Sequence, residues 1–231
     1  MKIKYILATL IVLCMAGWGP FDFLLSSPTA PVGTENWLNE EMIKIQSQAS
    51  NINNNVLKLS LIAYLHAHAR GMDNKQLLTI VDYTKPSNEP RLWVVDLKHA
   101  RVLFNTWVTH GRNSGSTIAT SFSNQRGSLK SSLGVFLTTG SPYVGGNGYS
   151  LRLLGLEKGI NDMAYRRDIV FHGAWYANHN RYGGALGRSW GCFAVDEKTV
   201  HPLINTIKDN TLVFVYYPDR NWLNHSRFLV G

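Results

Sequence analysis

Cys192 and His172 are the two residues of this 231-residue chain best suited to do chemistry together. A thiol attacks as its thiolate, and it needs a nearby base to take the proton; histidine is the side chain most often used for that work. Cys192 closes the run Arg188-Ser189-Trp190-Gly191-Cys192 and follows His172 by twenty residues. The chain has one other cysteine, Cys14, inside an apolar N-terminal run laid out like an export signal. Once that run is removed, Cys192 is the sole thiol and cannot form an internal disulfide. A single thiol in an oxidising compartment invites mispairing, so its presence points to a use, and nucleophilic catalysis is the use favoured here.

The surrounding sequence can supply what such a nucleophile needs. Ile169-Val170-Phe171-His172 reads as a buried strand that delivers His172 at its end, with Gly173 and Ala174 leaving room beside it. The glycine-rich loop Arg181-Tyr182-Gly183-Gly184-Ala185-Leu186-Gly187 can fold Cys192 back against His172. Gly191 permits a tight approach or a positive φ just before the nucleophile. The N–H of Cys192 and those of its neighbours would then face the oxyanion of a tetrahedral intermediate. Ser189 is a candidate hydrogen-bond partner of substrate or of the loop itself, and Arg188 a cation for a substrate carboxylate or for the thiolate. Tyr143, Tyr149 and the glycines from Gly145 to Gly148 suggest either a flap over a cleft or an ordinary hairpin loop.

Further from the site, Thr34 opens a helical pattern with apolar positions at Trp37, Leu38, Met42, Ile43 and Ile45. A polar break at Asn51–Asn55 follows, and a second helix runs from Val56 to Gly71. Short β-type runs occupy Leu77–Val81, Arg91–Leu97, Val102–Thr109, Leu133–Thr138, Ser150–Leu154 and Asp168–Phe171. Asp196 caps a late helix to Ile207, and Thr211–Tyr217 forms the last strand. The expected fold class is mostly β (α+β), a β-sandwich or partly closed barrel with one late helix, preceded by a helical hairpin. Expected boundaries are residues 1–25 for a signal peptide or anchor, 26–33 for a linker, 34–71 for the hairpin and 77–231 for the catalytic domain.

Met1 to Lys4 supplies two lysines, and Tyr5 to Trp18 is almost uninterruptedly apolar. Those fourteen residues span only ~21 Å as a helix, short of a bilayer core. An exported protein is expected, in the periplasm or cell envelope, with an uncleaved N-terminal anchor or peripheral membrane association as the other outcome. The net charge of +8 comes from scattered Lys and Arg, with no run longer than Arg166-Arg167, so nucleic acid is not an expected partner. Attraction to a carboxylate-rich or polyanionic envelope substrate fits better. The eight histidines show no metal-binding spacing; His66 and His68 sit two apart, on different faces of a helix. No metal and no cofactor are expected.

His172, then sixteen residues, then Ser189-Trp190-Gly191-Cys192 is similar to the signature of YkuD-type L,D-transpeptidases. Arg91-Leu92-Trp93-Val94-Val95-Asp96-Leu97, His110-Gly111, Phe122-Ser123-Asn124, Gly127-Ser128, Ser131-Ser132-Leu133-Gly134, Gly155-Leu156-Glu157 and Gly187 to Cys192 resemble the YkuD-like murein L,D-transpeptidase catalytic domain family. The resemblance implies that Cys192 attacks a carbonyl of a peptidoglycan stem peptide, releases a terminal D-amino acid and forms a thioester. An amine of a second stem would resolve it as a 3→3 cross-link, water as L,D-carboxypeptidase action. His172 maps onto the family's base and Gly173, through its carbonyl, onto that base's orienting partner, while Trp190, His110, Asn124 and Tyr143 join Ser189 and Arg188 as substrate-binding candidates. Two positions depart from the broader pattern: Trp190 replaces a histidine and Ala194 an asparagine. They keep open a second reading, a peptidoglycan-binding envelope module of the same fold with little or no activity.

Overall fold

The Thr34 hydroxyl accepts a hydrogen bond from the Trp37 N–H at 3.1 Å and caps α1 (Glu35–Gln48). The computed structural model describes residues 30–181 and 185–230. The apolar run of residues 1–25 with Cys14, the start of the expected linker, and Tyr182-Gly183-Gly184 lie outside the described residues. The polar break after α1 does double duty, because Asn53 caps α2 (Asn54–His68) by accepting from the N–H groups of Asn55 and Val56. Val56, Leu57, Leu61, Ala63, Tyr64 and Ala67 of α2 are buried, and the helix packs on β1 (Leu77–Asp82) and β9 (Leu212–Tyr216). From Pro31 onward the chain is one compact unit, helical hairpin included.

The remaining strands are β2 (Leu92–Asp96), β3 (Arg101–Thr106), β4 (Gly134–Thr138), β5 (Tyr143–Gly145), β6 (Gly148–Gly155), β7 (Val170–Gly173) and β8 (Phe193–Val195). They form one mixed sheet in the order β3-β2-β1-β9-β4-β6-β7-β8, with β5 paired to β6. β1 with β9 and β7 with β8 are parallel; the other pairs are antiparallel. β1 and β9 lie inside that order and are buried along their whole length, which fits the apolar run of β9 and that of β1 apart from Thr79 and Asp82. β3, at the edge, alternates exposed and half-buried residues.

The sheet is a half-barrel, and the chain beyond β3 draws its two ends together. β3 stops at Thr106 rather than at Thr109, and the segment after it runs to the far edge. There the Thr109 N–H donates to the Ala194 carbonyl at 2.9 Å, the Ser189 N–H donates to the His110 carbonyl at 2.9 Å, and Gly111 bridges Ser189 in parallel. The loop that ends in Cys192 is therefore held by the segment that closes the barrel. Two helices complete the unit. α3 (Glu197–Ile207) is capped by Asp196 and buries Val200, Leu203, Ile204 and Ile207, and the short α4 (Arg220–His225) buries Trp222.

Candidate functional site

His172 and Cys192 are brought together by the parallel pairing of β7 and β8. Phe171 pairs with Phe193 and His172 with Ala194, so Cys192, two residues before Ala194, falls on the same side of the sheet as His172. A strand separation of about 4.8 Å and two residues of about 3.3 Å place their α-carbons roughly 8 Å apart, within reach of an imidazole. Both side chains line one cleft of about 490 Å³, together with Asn147, Arg167, Asp168, Tyr176, Arg188 and Trp190.

The histidine's tautomer follows from its partner. His172 Nδ1 lies 3.0 Å from the Gly173 carbonyl, which can only accept, so Nδ1 carries the proton and Nε2 keeps its lone pair. Burial pushes the His172 pKa below its ordinary 6.5, the hydrogen bond to Gly173 opposing it. Cys192 is 9% exposed, and its Sγ donates to the Asp168 carbonyl at 3.4 Å. Burial pushes the thiol above its ordinary range, while a hydrogen bond from the Val170 backbone and the charge of Arg167 pull it down and Asp168 pushes it up. At neutral pH the pair rests as thiol and imidazole.

The turn before the nucleophile has a defined shape. Gly191 sits at φ +120°, and a β-carbon there would lie 2.7 Å from the Lys130 carbonyl oxygen. Ser189 is buried, its hydroxyl donating to the Cys192 carbonyl at 2.7 Å and accepting from the Gly191 N–H at 3.1 Å. Ser189 thus fastens the loop. Two amides near the thiol are already used, Gly191 by Ser189 and Ala194 by the Thr109 hydroxyl at 3.2 Å, so an oxyanion beside Sγ cannot draw on them without breaking these bonds.

The expected substrate-binding residues divide. Arg188 lines the cleft and donates to the Gly115 carbonyl at 3.1 Å, and Trp190 stands on the rim, 72% exposed. The β5–β6 turn overhangs the same cleft through Asn147; Tyr143, on β5, stacks instead under the Arg152 guanidinium, 4.9 Å from its ring centre. His110 does not reach the cleft. It is fully buried, with Nδ1 accepting from the Arg91 guanidinium at 2.8 Å, and burial and Arg91 lower its pKa to about 4. Asn124 is also elsewhere, its amide donating to the Asp162 carboxylate at 2.7 Å and its oxygen accepting from the Met163 N–H at 3.0 Å. These two motif residues hold the scaffold: His110 supports the closing segment and Asn124 ties down the loop that leads to β7. His179 stacks on Trp107, with ring centres 3.7 Å apart, outside the cleft. His66 bonds the Phe228 carbonyl and His68 faces Asp73, and among the described residues no three His, Cys, Asp or Glu side chains cluster as metal ligands would.

Arg167 was not distinguished by sequence, where it was only half of the longest basic pair. The structure puts its guanidinium beside the turn that carries the thiol, 3.4 Å from where a β-carbon of Gly191 would stand. Only its place in the fold gives it that position.

An imidazole on β7 and a thiol on the turn that enters the neighbouring parallel strand β8, opening into a cationic cleft at the edge of a mixed half-barrel, define a cysteine–histidine site on an α+β fold. The chain belongs to the family of L,D-transpeptidase catalytic domains, whose model matches residues 48–216. That match takes in α2 as well as the sheet. Among solved structures the chain is similar to an L,D-transpeptidase from Mycobacterium smegmatis, at 11% identity and TM-score 0.39 over 62% of this chain and 59% of that one. L,D-transpeptidase 1 of Mycobacterium tuberculosis matches at 11% identity and TM-score 0.36, over 62% of each chain, and an L,D-transpeptidase from Stackebrandtia nassauensis at 13% and 0.37, over 78% of this chain and 77% of that one. The chain thus spans about three fifths of the length of the two mycobacterial proteins. No curated protein matches it.

Proposed function

We propose that this chain is a cysteine acyltransferase that remodels peptidoglycan, an L,D-transpeptidase with Cys192 as nucleophile and His172 as base. The observation that carries the reading is the Nδ1 hydrogen bond from His172 to the Gly173 carbonyl, which leaves the Nε2 lone pair for chemistry in the cleft that also contains Cys192. Nε2 takes the thiol proton as Sγ attacks the carbonyl of the stem peptide's diamino acid. The imidazolium returns that proton to the departing D-amino acid, leaving a thioester on Cys192. An amine from a second stem attacks the thioester, His172 accepts the amine's proton, and the thiol is released carrying it; water in place of the amine gives a trimmed stem.

The cleft's charge suits this substrate. Arg167 and Arg188 line it, whereas its one acid, Asp168, is paired with Arg152 at 2.5 Å, which leaves the exposed Arg188 for a peptide carboxylate. Trp190 and Tyr176 offer apolar surface to the peptide. The chain acts outside the cytoplasm in this reading, delivered by its N-terminal run; no helix among the described residues is long and apolar enough to cross a membrane.

A second reading, a peptidoglycan-binding module, draws on the same burial that raises the thiol's pKa and on the exposed Trp190 in place of a histidine. Incubating purified muropeptides with the protein separates the two. The enzyme gives cross-linked dimers or trimmed stems by mass spectrometry and Cys192→Ala gives neither; unchanged muropeptides with retained binding establish the module.

A further inference from the structure

The residues from Phe122 to Gly134 that resemble the family's motifs are not among those lining the cleft with His172 and Cys192, yet they converge on one side chain. Arg167 Nη1 donates to the Ser123 carbonyl and to the Ser132 hydroxyl, and Nη2 donates to the Lys130 carbonyl at 2.6 Å and to the Ser128 hydroxyl at 3.3 Å. Four acceptors from one loop hold a half-buried guanidinium, and none of them is charged. Among the described residues Arg167 forms no ion pair with a carboxylate. Those hydrogen bonds satisfy its N–H groups but leave the charge without a counter-ion, so a negative charge formed beside it is favoured.

With Asp168 paired to Arg152, the thiolate of the same cleft can supply that charge. Arg167 lines the cleft with Cys192 and its Nη2 packs against Gly191, the residue before the thiol. We infer that Arg167, held by its cradle of Ser123, Ser128, Lys130 and Ser132, is the counter-charge of the Cys192 thiolate and thereby a positioning residue for the nucleophile. The inference rests on the acyl-transfer reading and deepens it. It also gives the cleft a fixed cation although position 190, a histidine in the broader pattern, is a tryptophan here: the charge comes from the turn before β7 and does not titrate near neutral pH. The electrostatics run the same way, since the thiolate form of Cys192 favours a charged Arg167 and Arg167 draws the thiol pKa down against burial.

The other titratable groups around the sulfur do not take this place. Asp168 carries the wrong sign and is paired with Arg152. Tyr176 and, beneath the site, Tyr83 are phenols, each pushed up to about 12 by burial. His172 is neutral at rest, and Arg188 is exposed and turned to Gly115.

The test is the pH dependence of Cys192 alkylation by iodoacetamide in the full chain, which requires no peptidoglycan. Arg167→Gln should raise the midpoint by about one unit or more, a tenfold or greater loss of rate at any pH below it, and Arg167→Lys should recover most of the loss. Thermal unfolding of each variant verifies the fold. A midpoint unchanged in Arg167→Gln overturns the inference, as does Arg167→Lys falling as far as Arg167→Gln, since the side chain would then serve only as a brace. If Arg167→Gln does not fold, the double variant Ser128→Ala/Ser132→Ala removes two tethers and keeps every charge. Its midpoint should rise, and an unmoved midpoint overturns the role of the cradle. Failure of the muropeptide reaction with a shifted titration would sink the acyl-transfer reading alone; a normal reaction with an unshifted titration would sink this inference alone.

Discussion

Burial shifts the two proposed reacting groups in opposite directions, His172 down and Cys192 up, and both shifts favour the uncharged pair. In the proposed mechanism the ion pair would form only as substrate is attacked. A base must be neutral to act, so the acid limb of kcat/KM should fall on the acid side of 6.5; a limb well above 6.5 would contradict a desolvated His172. Ser189 acts on the same atoms indirectly. Its hydroxyl joins the Cys192 carbonyl to the Gly191 N–H in a buried turn. Ser189→Ala should cost about 1–3 kcal/mol in denaturant unfolding and lower kcat more than it raises KM, because it frees the nucleophile's backbone. A variant with wild-type stability and kcat would show that the turn holds its shape without it.

Among the elements, the seam between the segment after β3 and the edge strand β8 decides whether the site exists, and His110 is at its centre. Arg91 donates to His110 Nδ1, so the imidazole must stay neutral. Its pKa falls from 6.5 to about 4, which means the unfolded chain takes up the proton first as pH drops. The seam should therefore lose stability as pH falls from 6.5 toward 4, by about 3 kcal/mol in full. In His110→Gln, which can still accept from Arg91, that part of the pH dependence should vanish when unfolding is followed by urea titration at each pH; an identical profile would refute the assignment. This seam also shows what could be read from sequence and what could not. The apolar runs of β1 and β9, the Asp196 cap of α3 and the pairing of His172 with Cys192 are local patterns. β5 and β8 are three residues each, too short to display alternation, and they are strands only because β6 and β7 lie beside them. The roles of His110, Asn124 and Arg167 depend on contacts between segments distant along the chain, which no spacing reveals.

Over the whole molecule, Glu157 joins the ends of the fold. Its carboxyl accepts from the Val135 N–H at the start of β4, from Trp222 Nε1 on α4 at 3.0 Å and from the Ser226 hydroxyl beyond it. Gly134, at φ +101°, makes room, since a β-carbon there would meet the Glu157 oxygen. Glu157→Ala would strand three buried donors and should cost about 2–4 kcal/mol, lowering the thermal midpoint with little change in KM, because the contact is remote from the cleft. Loss of activity without loss of stability would instead tie the C-terminal segment to the site.

The central claim is that the thiol at 192 carries the acyl group. Intact-mass spectrometry of protein acid-quenched during turnover of a stem tetrapeptide tests it most directly. The account predicts an adduct equal to the stem less its terminal D-amino acid, mapped to Cys192, cleared by hydroxylamine and absent from Cys192→Ala. Product formation by Cys192→Ala, or an adduct on any other residue, would contradict it.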